Sequence, residues 1–297
     1  MSILADRETK VLIQGITGRE GSHHTELMLK YGTKIVGGTS PGKGGQKVHG
    51  VPVFNTVWEA VEETGAEASI IFVPPKFALD ALYEAVEAGL RLIICITEGI
   101  PVLEMMHAIR KIKVLYPDTV LIGPNCPGLI NPGECNLGIM PGSVFKPGNV
   151  GIISRSGTLT YQIAYNMVEA GIGQSTVVGV GGDPFIGTRF VDLVKIFNED
   201  PKTKALCIIG EIGGTDEEEA AQYIKENVDK PVVAYIAGQT APPGKRMGHA
   251  GAIISGSSGT AQSKIKAFKE AGVEVAKAPY EAAYILKKMI RKNLFSI

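Results

Sequence analysis

The stretch Lys10-Val-Leu-Ile-Gln-Gly-Ile-Thr-Gly-Arg-Glu-Gly21 decides the fold of the first half of the chain. Its apolar, β-branched beginning predicts a strand over 10–14, and the glycines that follow predict a tight turn that opens a helix. Further strand-like runs, with helical patterns between them, lie at 34–38, 68–73, 92–96 and 120–122. Because strands that alternate with helices build parallel sheets, we expect a doubly wound α/β domain.

The same alternation restarts in the second half. Strand-like runs lie at 150–154, 176–180, 205–210 and 231–237, and helices are expected near 188–197, 216–227 and 260–271. Residues 128–148, rich in proline and glycine and without a clear period, are typical of a linker. The sequence therefore predicts two domains, 1–127 and 149–297, joined by that linker. Each glycine-rich motif follows a strand, and open α/β sheets bind ligands at that edge.

The composition is that of an ordinary globular protein without a charge preference. The 297 residues suffice for two cores, and 44% of them are hydrophobic while 20% are charged. Lysine and arginine together number 30, as do aspartate and glutamate, so the formal net charge is zero. This argues against nucleic acid as a partner and against an anionic membrane surface. An anionic ligand must be held by local groups.

The cysteines and the N-terminal residues indicate in which cellular compartment the protein is expected. Cys95, Cys126, Cys135 and Cys207 form no Cys-x-x-Cys pair and have no histidine at metal-binding spacing, so we expect reduced thiols and no metal site. No apolar stretch reaches the roughly 20 residues of a membrane span. The first ten residues lack the apolar core of a signal peptide. We expect a cytoplasmic protein, or the mature form of an organellar one.

The glycine turn over 15–21 resembles a dinucleotide fingerprint, in which backbone N–H groups and a helix N-terminus meet a pyrophosphate. Its spacing differs from Gly-x-Gly-x-x-Gly, however, and the second strand ends in Gly37-Gly-Thr-Ser40, without the acid that binds a ribose. Lys43 follows in a flexible basic loop that suits an additional phosphate. Coenzyme A, which has a pyrophosphate and a 3′-phosphate, therefore fits better than NAD. Simple tight βα turns are the alternative interpretation of these glycines.

Residues 244–254, Gly-Lys-Arg-Met-Gly-His-Ala-Gly-Ala-Ile-Ile, place a histidine between glycines that let the backbone pass close to a ligand. Lys245 and Arg246 supply positive charge, which suits a phosphate rather than a metal. Imidazole is a good nucleophile near neutral pH, so we interpret His249 as the group that accepts a phosphoryl group and passes it on. A histidine in a solvated loop is the alternative.

Glu211, in Gly-Glu-Ile-Gly-Gly, directly follows an apolar strand and belongs to the same sheet edge as the His249 loop. A carboxylate bonded to imidazole fixes its tautomer and stabilises its charged form, so we expect Glu211 to pair with His249. An exposed loop acid is the alternative, because the acids nearby at 216–219 are typical of the polar first turn of a helix.

The stretch Ser154-Arg-Ser-Gly-Thr158 lies at a strand-to-helix turn. Hydroxyls and free amides at a helix N-terminus bind anions, so we expect a phosphate cradle there. A serine nucleophile is the less favoured alternative, because Gly-x-Ser-x-Gly is absent. A second alternative is that Ser156 or Thr158 only caps the N-terminus of the helix.

Seven motifs follow one another along the chain. They are Gly-Ile-Thr-Gly from 15, Pro-Gly-Lys-Gly-Gly from 41, Ile-Thr-Glu-Gly-Ile-Pro from 96, Gly-Pro-Asn-Cys-Pro-Gly from 123, Ser-Arg-Ser-Gly-Thr-Leu-Thr-Tyr from 154, Gly-Glu-Ile-Gly-Gly from 210 and Gly-Lys-Arg-Met-Gly-His-Ala-Gly-Ala from 244. In this order they resemble the α subunits of the succinyl-CoA synthetase family, over almost the whole chain. The resemblance implies a Rossmann-like CoA-binding domain and a flavodoxin-like ligase domain. It also implies the activity of a nucleoside-triphosphate-dependent acid–CoA ligase.

The same resemblance implies roles for individual residues. His249 is phosphorylated and Glu211 steadies the phosphohistidine, after which an acyl phosphate forms and the CoA thiol converts it into a thioester. The residues implied to bind CoA are Thr17, Gly18, Arg19, Glu20, Lys43, Ile96, Thr97 and Glu98. Those implied to lie at the substrate and phosphate are Ser154, Ser156, Tyr161, Asn125, Cys126 and Pro127.

The resemblance also implies a partner, a β subunit with an ATP-grasp domain, in an αβ or α2β2 assembly. The sequence has no Walker-type Gly-x-x-x-x-Gly-Lys-[Ser/Thr] and no grasp-like region. ATP or GTP, with Mg²⁺, is therefore expected to bind mainly to the β subunit.

At two places the sequence departs from the family pattern, and these departures leave the identity of the carboxylic acid substrate undecided. Family members usually read Thr-Tyr-Glu where this chain has Thr160-Tyr-Gln162, and often Met-Pro-Gly-His where it has Met140-Pro-Gly-Ser143. Succinate is the expected carboxylic acid, with citrate or malate as the alternative. Two other classes stay open, a CoA-binding regulatory module without catalysis and an NAD-dependent dehydrogenase.

Overall fold

Each half of the chain forms one seven-stranded sheet in the computed structural model, which describes residues 3–242, 244–254 and 259–294. The strands are β1 Val11–Gln14, β2 Ile35–Thr39, β3 Lys47–Val48, β4 Val51–Phe54, β5 Ala68–Ile71, β6 Leu92–Cys95, β7 Val120–Ile122, β8 Gly128–Asn131, β9 Cys135–Gly138, β10 Pro147–Ser154, β11 Gln174–Gly179, β12 Ala205–Gly210, β13 Val232–Ile236 and β14 Glu274–Ala276. The helices are α1 Arg19–Tyr31, α2 Val57–Thr64, α3 Pro75–Glu87, α4 Val102–Leu115, α5 Gly157–Glu169, α6 Phe190–Glu199, α7 Asp216–Asn227, α8 Ala261–Glu270 and α9 Pro279–Leu294.

The first sheet has the order β3-β4-β2-β1-β5-β6-β7, and all neighbours except β3 and β4 pair in parallel. Without the short β3, this is the order of a Rossmann fold. Successive side chains of the central strand point to opposite faces, so Val11 and Ile13 pack into one core and Leu12 into another. The predicted doubly wound α/β fold is confirmed.

The second sheet has the order β14-β13-β12-β10-β11-β8-β9 and is mostly parallel. Its parallel part, β11-β10-β12-β13-β14, has the strand order of flavodoxin. Strands β8 and β9 extend it as an antiparallel hairpin beside β11. The expected parallel sheet is therefore present, with a mixed edge that the sequence does not predict.

The hairpin occupies residues 128–138 of the segment 128–148, which the sequence indicates as a linker. Its two strands, only four residues each, are buried and belong to the second sheet. Gly128 and Gly138 serve a close strand pair, since a Cβ built at Gly128 would lie 2.1 Å from the carbonyl oxygen of Leu137. The second sheet thus begins at residue 128, and β10 begins at Pro147 rather than at 150.

The hairpin also fastens the second sheet to the first half of the chain. The hydroxyl of Thr33 donates to the carbonyl of Asn136 at 2.9 Å, and the N–H of Asn136 donates back to the hydroxyl at 3.0 Å. The N–H of Gly133 donates to the Tyr31 hydroxyl at 3.0 Å. These contacts, buried at Thr33 and exposed at Gly133, fasten the hairpin to the end of α1 and the turn that follows it.

The carboxyl ends of strands from both sheets border one cleft. From the first half, the turns after β1, β5, β6 and β7 reach it, and from the second, those after β10, β11 and β13. Such edges are where open α/β sheets bind ligands. None of the helices in the described part of the chain is long and apolar enough to cross a membrane.

Candidate active site

His249 and Glu211 form a hydrogen-bonded pair at this cleft. Glu211 is buried directly after β12, and His249 lies in the glycine-rich loop after β13, partly exposed. The imidazole Nδ1 is 2.9 Å from each carboxylate oxygen of Glu211. This hydrogen bond raises the pKa of His249, helped by the charges of Glu211 and Asp183 and opposed by burial and by Arg155. With the Nδ1 proton donated to Glu211, the lone pair of Nε2 is free to act as a nucleophile.

The ring of His249 rests on Gly182, in the loop after β11. A Cβ built at Gly182 would lie 2.2 Å from His249 Cγ, so any side chain there would displace the imidazole. The N–H of Gly251 donates to the carbonyl of Gly182 at 2.9 Å. A Cβ built at Gly213 would lie 1.9 Å from the carbonyl oxygen of Gly251. Glycine therefore lets three loops pack closely enough to hold the imidazole against Glu211.

The turn before α5 has the form expected of an anion cradle. Ser156 caps the helix, and its hydroxyl accepts from the N–H of Leu159 at 3.3 Å. Gly157 and Thr158, in the first turn, line the cleft. Ser154 is fully buried, and its hydroxyl bonds both the N–H of Ser156 (3.1 Å) and its carbonyl (3.0 Å). Ser154 therefore shapes the turn from beneath, while the helix N-terminus borders the cleft.

A buried ionic cluster lies beneath the cradle. Arg155 donates from Nε to Glu217 Oε1 at 2.8 Å, and the fully buried Lys264 donates to Glu217 Oε2. Lys264 also donates to the carbonyl of Gly213 at 2.8 Å. The N–H of Glu211 donates to Glu217 Oε1 at 3.3 Å. One carboxylate therefore ties together the cradle turn, helix α8 and the Glu211 loop.

The acids at 216–219 form the first turn of helix α7, as predicted, but Asp216 and Glu217 are buried. Burial acts to raise the pKa of Glu217, but Arg155 and Lys264 lower it below its ordinary value. Burial raises the pKa of Asp216 although Arg155 and Arg189 lie beside it. The two acids are buried because the cations that face them come from distant segments. No local pattern in the sequence reveals those partners.

Four of the residues predicted to bind CoA line the cleft on the side of the first sheet. They are Glu20, Ile96, Thr97 and Glu98. The hydroxyl of Thr97 donates to the carbonyl of Val73 at 2.7 Å, which fixes the turn after β6. The sheet edge thus brings the start of α1 and the turn after β6 to the same cleft.

The other four residues lie at the start of α1 and in the loop after β2. Lys43 Nζ donates to the Thr17 hydroxyl at 3.1 Å, and that hydroxyl lies 2.8 Å from Ser40 Oγ. Gly18 begins α1 without a side-chain cap, and Arg19 is 96% exposed. A cation beside uncapped helix amides suits the pyrophosphate and the additional phosphate of CoA.

The turn Asn125-Cys126-Pro127 joins the two sides of the cleft. The N–H of Asn125 donates to the carbonyl of Thr97 at 3.0 Å, and its carbonyl accepts from Gly182 at 3.1 Å. Its side-chain amide donates to Asp183 Oδ1 at 2.9 Å. Asn125 has a φ of 54°, a left-handed conformation that asparagine tolerates better than most residues.

Two polar groups of the cleft stay protonated at neutral pH. The Cys126 thiol is buried and donates to the carbonyl of Cys95 at 3.3 Å, and burial raises the pKa of Cys126 well above its ordinary value. Burial also raises the pKa of Tyr161 to about 12. The ring of Tyr161 packs edge-on against Phe145, with centroids 6.3 Å apart. Both groups therefore form part of the wall rather than acting as bases.

Asp183 is a cleft residue that sequence reasoning missed. It is buried, and its carboxylate faces the same cleft as His249. Burial raises the pKa of Asp183, opposed by the Asn125 hydrogen bond. The available signal was its position in Gly181-Gly-Asp-Pro184, immediately after a strand, as for every other motif of the site.

The cleft suits a large organic substrate. Its volume is about 1130 Å³, and its wall combines backbone turns, apolar side chains and a few charged groups from both halves. Among the residues that the structure describes, no three His, Cys, Asp or Glu side chains are placed to hold a metal ion.

Two protein families match the chain in separate stretches. The family described as CoA binding domain matches residues 6–99, and the one described as CoA-ligase matches residues 153–274. The first stretch contains the turns after β1 and β6, and the second contains the cradle turn, Glu211 and His249. The class is therefore a CoA ligase, and the prediction of a CoA-binding rather than a nicotinamide-binding first domain is confirmed.

Relatives narrow the class to one family. The α subunit of ADP-forming succinate–CoA ligase from Aquifex aeolicus is 57% identical over 291 residues, which cover 98% of this chain and 95% of the relative. Its counterpart named alpha 2 from Archaeoglobus fulgidus is 59% identical over 290 residues, which cover 98% and 100%. This chain belongs to the family of α subunits of ADP-forming succinate–CoA ligases, an acid–thiol ligase family.

The same two-sheet arrangement occurs within a longer polypeptide. The structure of ATP citrate lyase from Methanothrix soehngenii, in complex with citrate and coenzyme A, matches with a TM-score of 0.87 at 25% identity. The match covers 99% of this chain and 52% of that chain. This chain thus corresponds to about half of that polypeptide.

Proposed function

We propose that this chain is the α subunit of a ligase that forms succinyl-CoA from succinate and CoA with ATP, through phosphorylated His249. The observation that supports this most directly is the hydrogen bond between His249 Nδ1 and the Glu211 carboxylate. His249 lies in the same cleft as the turns predicted to bind CoA. The names of the relatives support succinate as the acid and ADP as the nucleotide product.

In the first step, His249 Nε2 attacks the γ-phosphorus of ATP. The N–P bond forms as the bond to the β-phosphate oxygen breaks, and ADP leaves. The imidazole becomes cationic as it reacts, and the Glu211 carboxylate at 2.9 Å stabilises that charge. The nucleotide and its Mg²⁺ are held by an ATP-grasp β subunit, and the name "subunit alpha" of the relatives supports a partner chain.

In the second step, a carboxylate oxygen of succinate takes the phosphoryl group from His249 and becomes an acyl phosphate. The N-terminus of α5 stabilises the phosphate charge during the transfer, with Ser156 as its cap and Ser154 bracing the turn. The CoA thiol then attacks the acyl carbon, and inorganic phosphate leaves. Dividing the reaction in this way replaces one difficult step by several easier ones.

CoA binds at the edge of the first sheet. Thr17, Gly18, Arg19 and Lys43 take its phosphates at the start of α1, and the turn at 96–98 with Glu20 follows the chain of the cofactor into the cleft. Tyr161 and the turn at 125–127 enclose the reacting end. In this division residues 1–127 carry CoA binding, and the phosphohistidine loop belongs to the ligase half. The bacterial and archaeal relatives support a cytoplasmic location.

The test is to incubate the chain and its β partner with γ-labelled ATP. Wild type is expected to take up acid-labile, base-stable label, and His249→Asn to take up none. His107→Asn, which removes an exposed histidine outside the cleft, is the matched control and is expected to label normally. If wild type takes no label, the catalytic proposal fails and the chain is a CoA-binding module.

A chase with CoA and one acid at a time then identifies the substrate. Succinate is expected to discharge the label fastest. Citrate is the alternative that a specific observation favours, namely the match to a citrate-bound ATP citrate lyase. If citrate or malate removes the label and succinate does not, the acid that removes it is the substrate instead of succinate.

A further inference from the structure

Asp183 stands between the two reactive regions of the cleft. On one side its Oδ1 accepts from the side-chain amide of Asn125 at 2.9 Å, in the turn that contains Cys126. On the other side, its neighbour Gly182 supports the ring of His249, and a Cβ built at Gly251 would lie 3.2 Å from the Asp183 carbonyl oxygen. The carboxylate therefore lies where the end of CoA and the phosphoryl group must meet.

The two oxygens of this carboxylate differ in their contacts with the described residues. Among the contacts of the described residues, Asp183 Oδ2 has no hydrogen-bond donor, and no salt bridge involves Asp183. The charged groups around it are His249 and Arg246, which favour its anion, and Glu98, which opposes it. An anion on the wall of a cleft that receives phosphate and a carboxylic acid hinders their binding. Its presence there is explained if it exchanges a proton.

The proposed reaction requires such a proton acceptor. An ordinary thiol has a pKa of about 8.5, so only a few per cent of CoA is thiolate at pH 7. Three other polar groups at the cleft are unsuited to this task. Glu211 is bonded to His249, and Cys126 and Tyr161 are themselves protonated at neutral pH.

We propose, on the basis of the function proposed above, that Asp183 is the general base that takes the proton from the CoA thiol. The S–H bond breaks as an O–H bond forms at Asp183 Oδ2. The sulfur forms its bond to the acyl carbon, the bond from that carbon to the phosphate oxygen breaks, and inorganic phosphate leaves. The proton on Asp183 then passes to the departing phosphate or to water.

The surroundings of Asp183 fit this role. Asn125 orients the carboxylate through Oδ1, and none of the described residues donates to Oδ2. Burial raises the pKa of Asp183 from its ordinary value, which makes it a stronger base than an exposed aspartate.

The experiment uses Asp183→Asn in the complete αβ complex and measures three steps separately. Label uptake from γ-labelled ATP is expected to stay within about twofold of wild type. Trapping of the acyl phosphate with hydroxylamine, which needs no thiol, is expected to persist. Thioester formation in a single turnover at pH 7 is expected to fall roughly 10²- to 10⁴-fold, the usual contribution of a general base. Asp229→Asn, an exposed aspartate outside the cleft, is the control for the same substitution.

A pH profile separates a base from a structural role. In the variant, thiolate must come from solution, so thioester formation should rise about tenfold per pH unit up to about pH 8.5, the pKa of the thiol. Wild type should be nearly flat over that range. Normal thioester formation by Asp183→Asn, a defect that persists unchanged at high pH, or loss of label uptake in the variant alone would each overturn the proposal. Loss of label uptake in wild type would instead refute the proposed function.

Discussion

Replacing Glu217 by glutamine tests whether one buried carboxylate holds the loops of the site together. In wild type it forms ion pairs with both Arg155 and Lys264, and all three side chains are shielded from solvent. Glutamine keeps the size but removes the charge. The carboxylates that remain beside the two cations are then Asp216, 3.5 Å from Arg155, and Glu218, 3.6 Å from Lys264.

The expected loss follows from these distances. Removing one partner of a buried ion pair typically costs about 3–5 kcal/mol, because it leaves an uncompensated charge. Since the two longer contacts remain, we expect the free energy of unfolding to fall by about 3 kcal/mol. In urea, monitored by far-ultraviolet circular dichroism, this lowers the midpoint of unfolding of the second half by on the order of 1 M.

Glu219→Gln is the matched control, in the same helical turn. Its partner Arg189 lies 2.6 Å away, but both side chains are substantially exposed to solvent, so the loss should stay below about 1 kcal/mol. The dependence of the free energy of unfolding on pH in the acid range is a second measurement. Because the pKa of Glu217 is lowered, its stabilising contribution is complete above the ordinary value of 4.5 and disappears as pH falls through the folded value. Equal midpoints for the two variants, or an unchanged acid profile, would refute the reasoning.

Three further predictions concern the site. Gly182→Ala should reduce label uptake by roughly 10²-fold without loss of fold, because its Cβ would lie 2.2 Å from His249 Cγ and displace the ring; single-turnover labelling and circular dichroism together check this. Glu211→Gln removes the main cause of the raised pKa of His249, so the pH above which the neutral imidazole predominates should shift downward, which ¹⁵N NMR titration of the ring measures. The four cysteines are buried, and burial raises the pKa of each thiol, so a thiol reagent should label almost none in the native protein and all four in denaturant.

The elements that carry the site could be predicted because each depends on a local signal. The buried parallel strands appear as short apolar runs, and 120–122 and 205–210 match their predicted bounds. The polar residues of the site come immediately after the strands in the sequence. A glycine-rich motif at the end of a strand therefore indicates a side chain at the carboxyl edge of the sheet. The pairing of Glu211 with His249 follows from this rule, since β12 and β13 are neighbours in the sheet.

The hairpin at 128–138 could not be predicted, because it depends on long-range contacts rather than on a local signal. Its strands are short, and the glycines of the strands and the proline between them are typical of a loop. What makes them strands is pairing with β11 and with each other, together with contacts to Thr33 and Tyr31 more than one hundred residues away. Such long-range partners override local propensity.

Under the proposed function, the ionic cluster also affects how strongly the turn before α5 binds phosphate. Arg155 lies within the cradle turn, yet its charge is neutralised by Glu217 and Asp216. A free guanidinium there would bind the transferring group and inorganic phosphate tightly in their ground states, which adds affinity without speeding the transfer. The partial charge of the α5 N-terminus is weaker and directional, and it acts while the phosphoryl group passes from His249 to the acid. In the proposed mechanism, the group that leaves at every turnover therefore interacts with a helix end and not with the neutralised charge of Arg155.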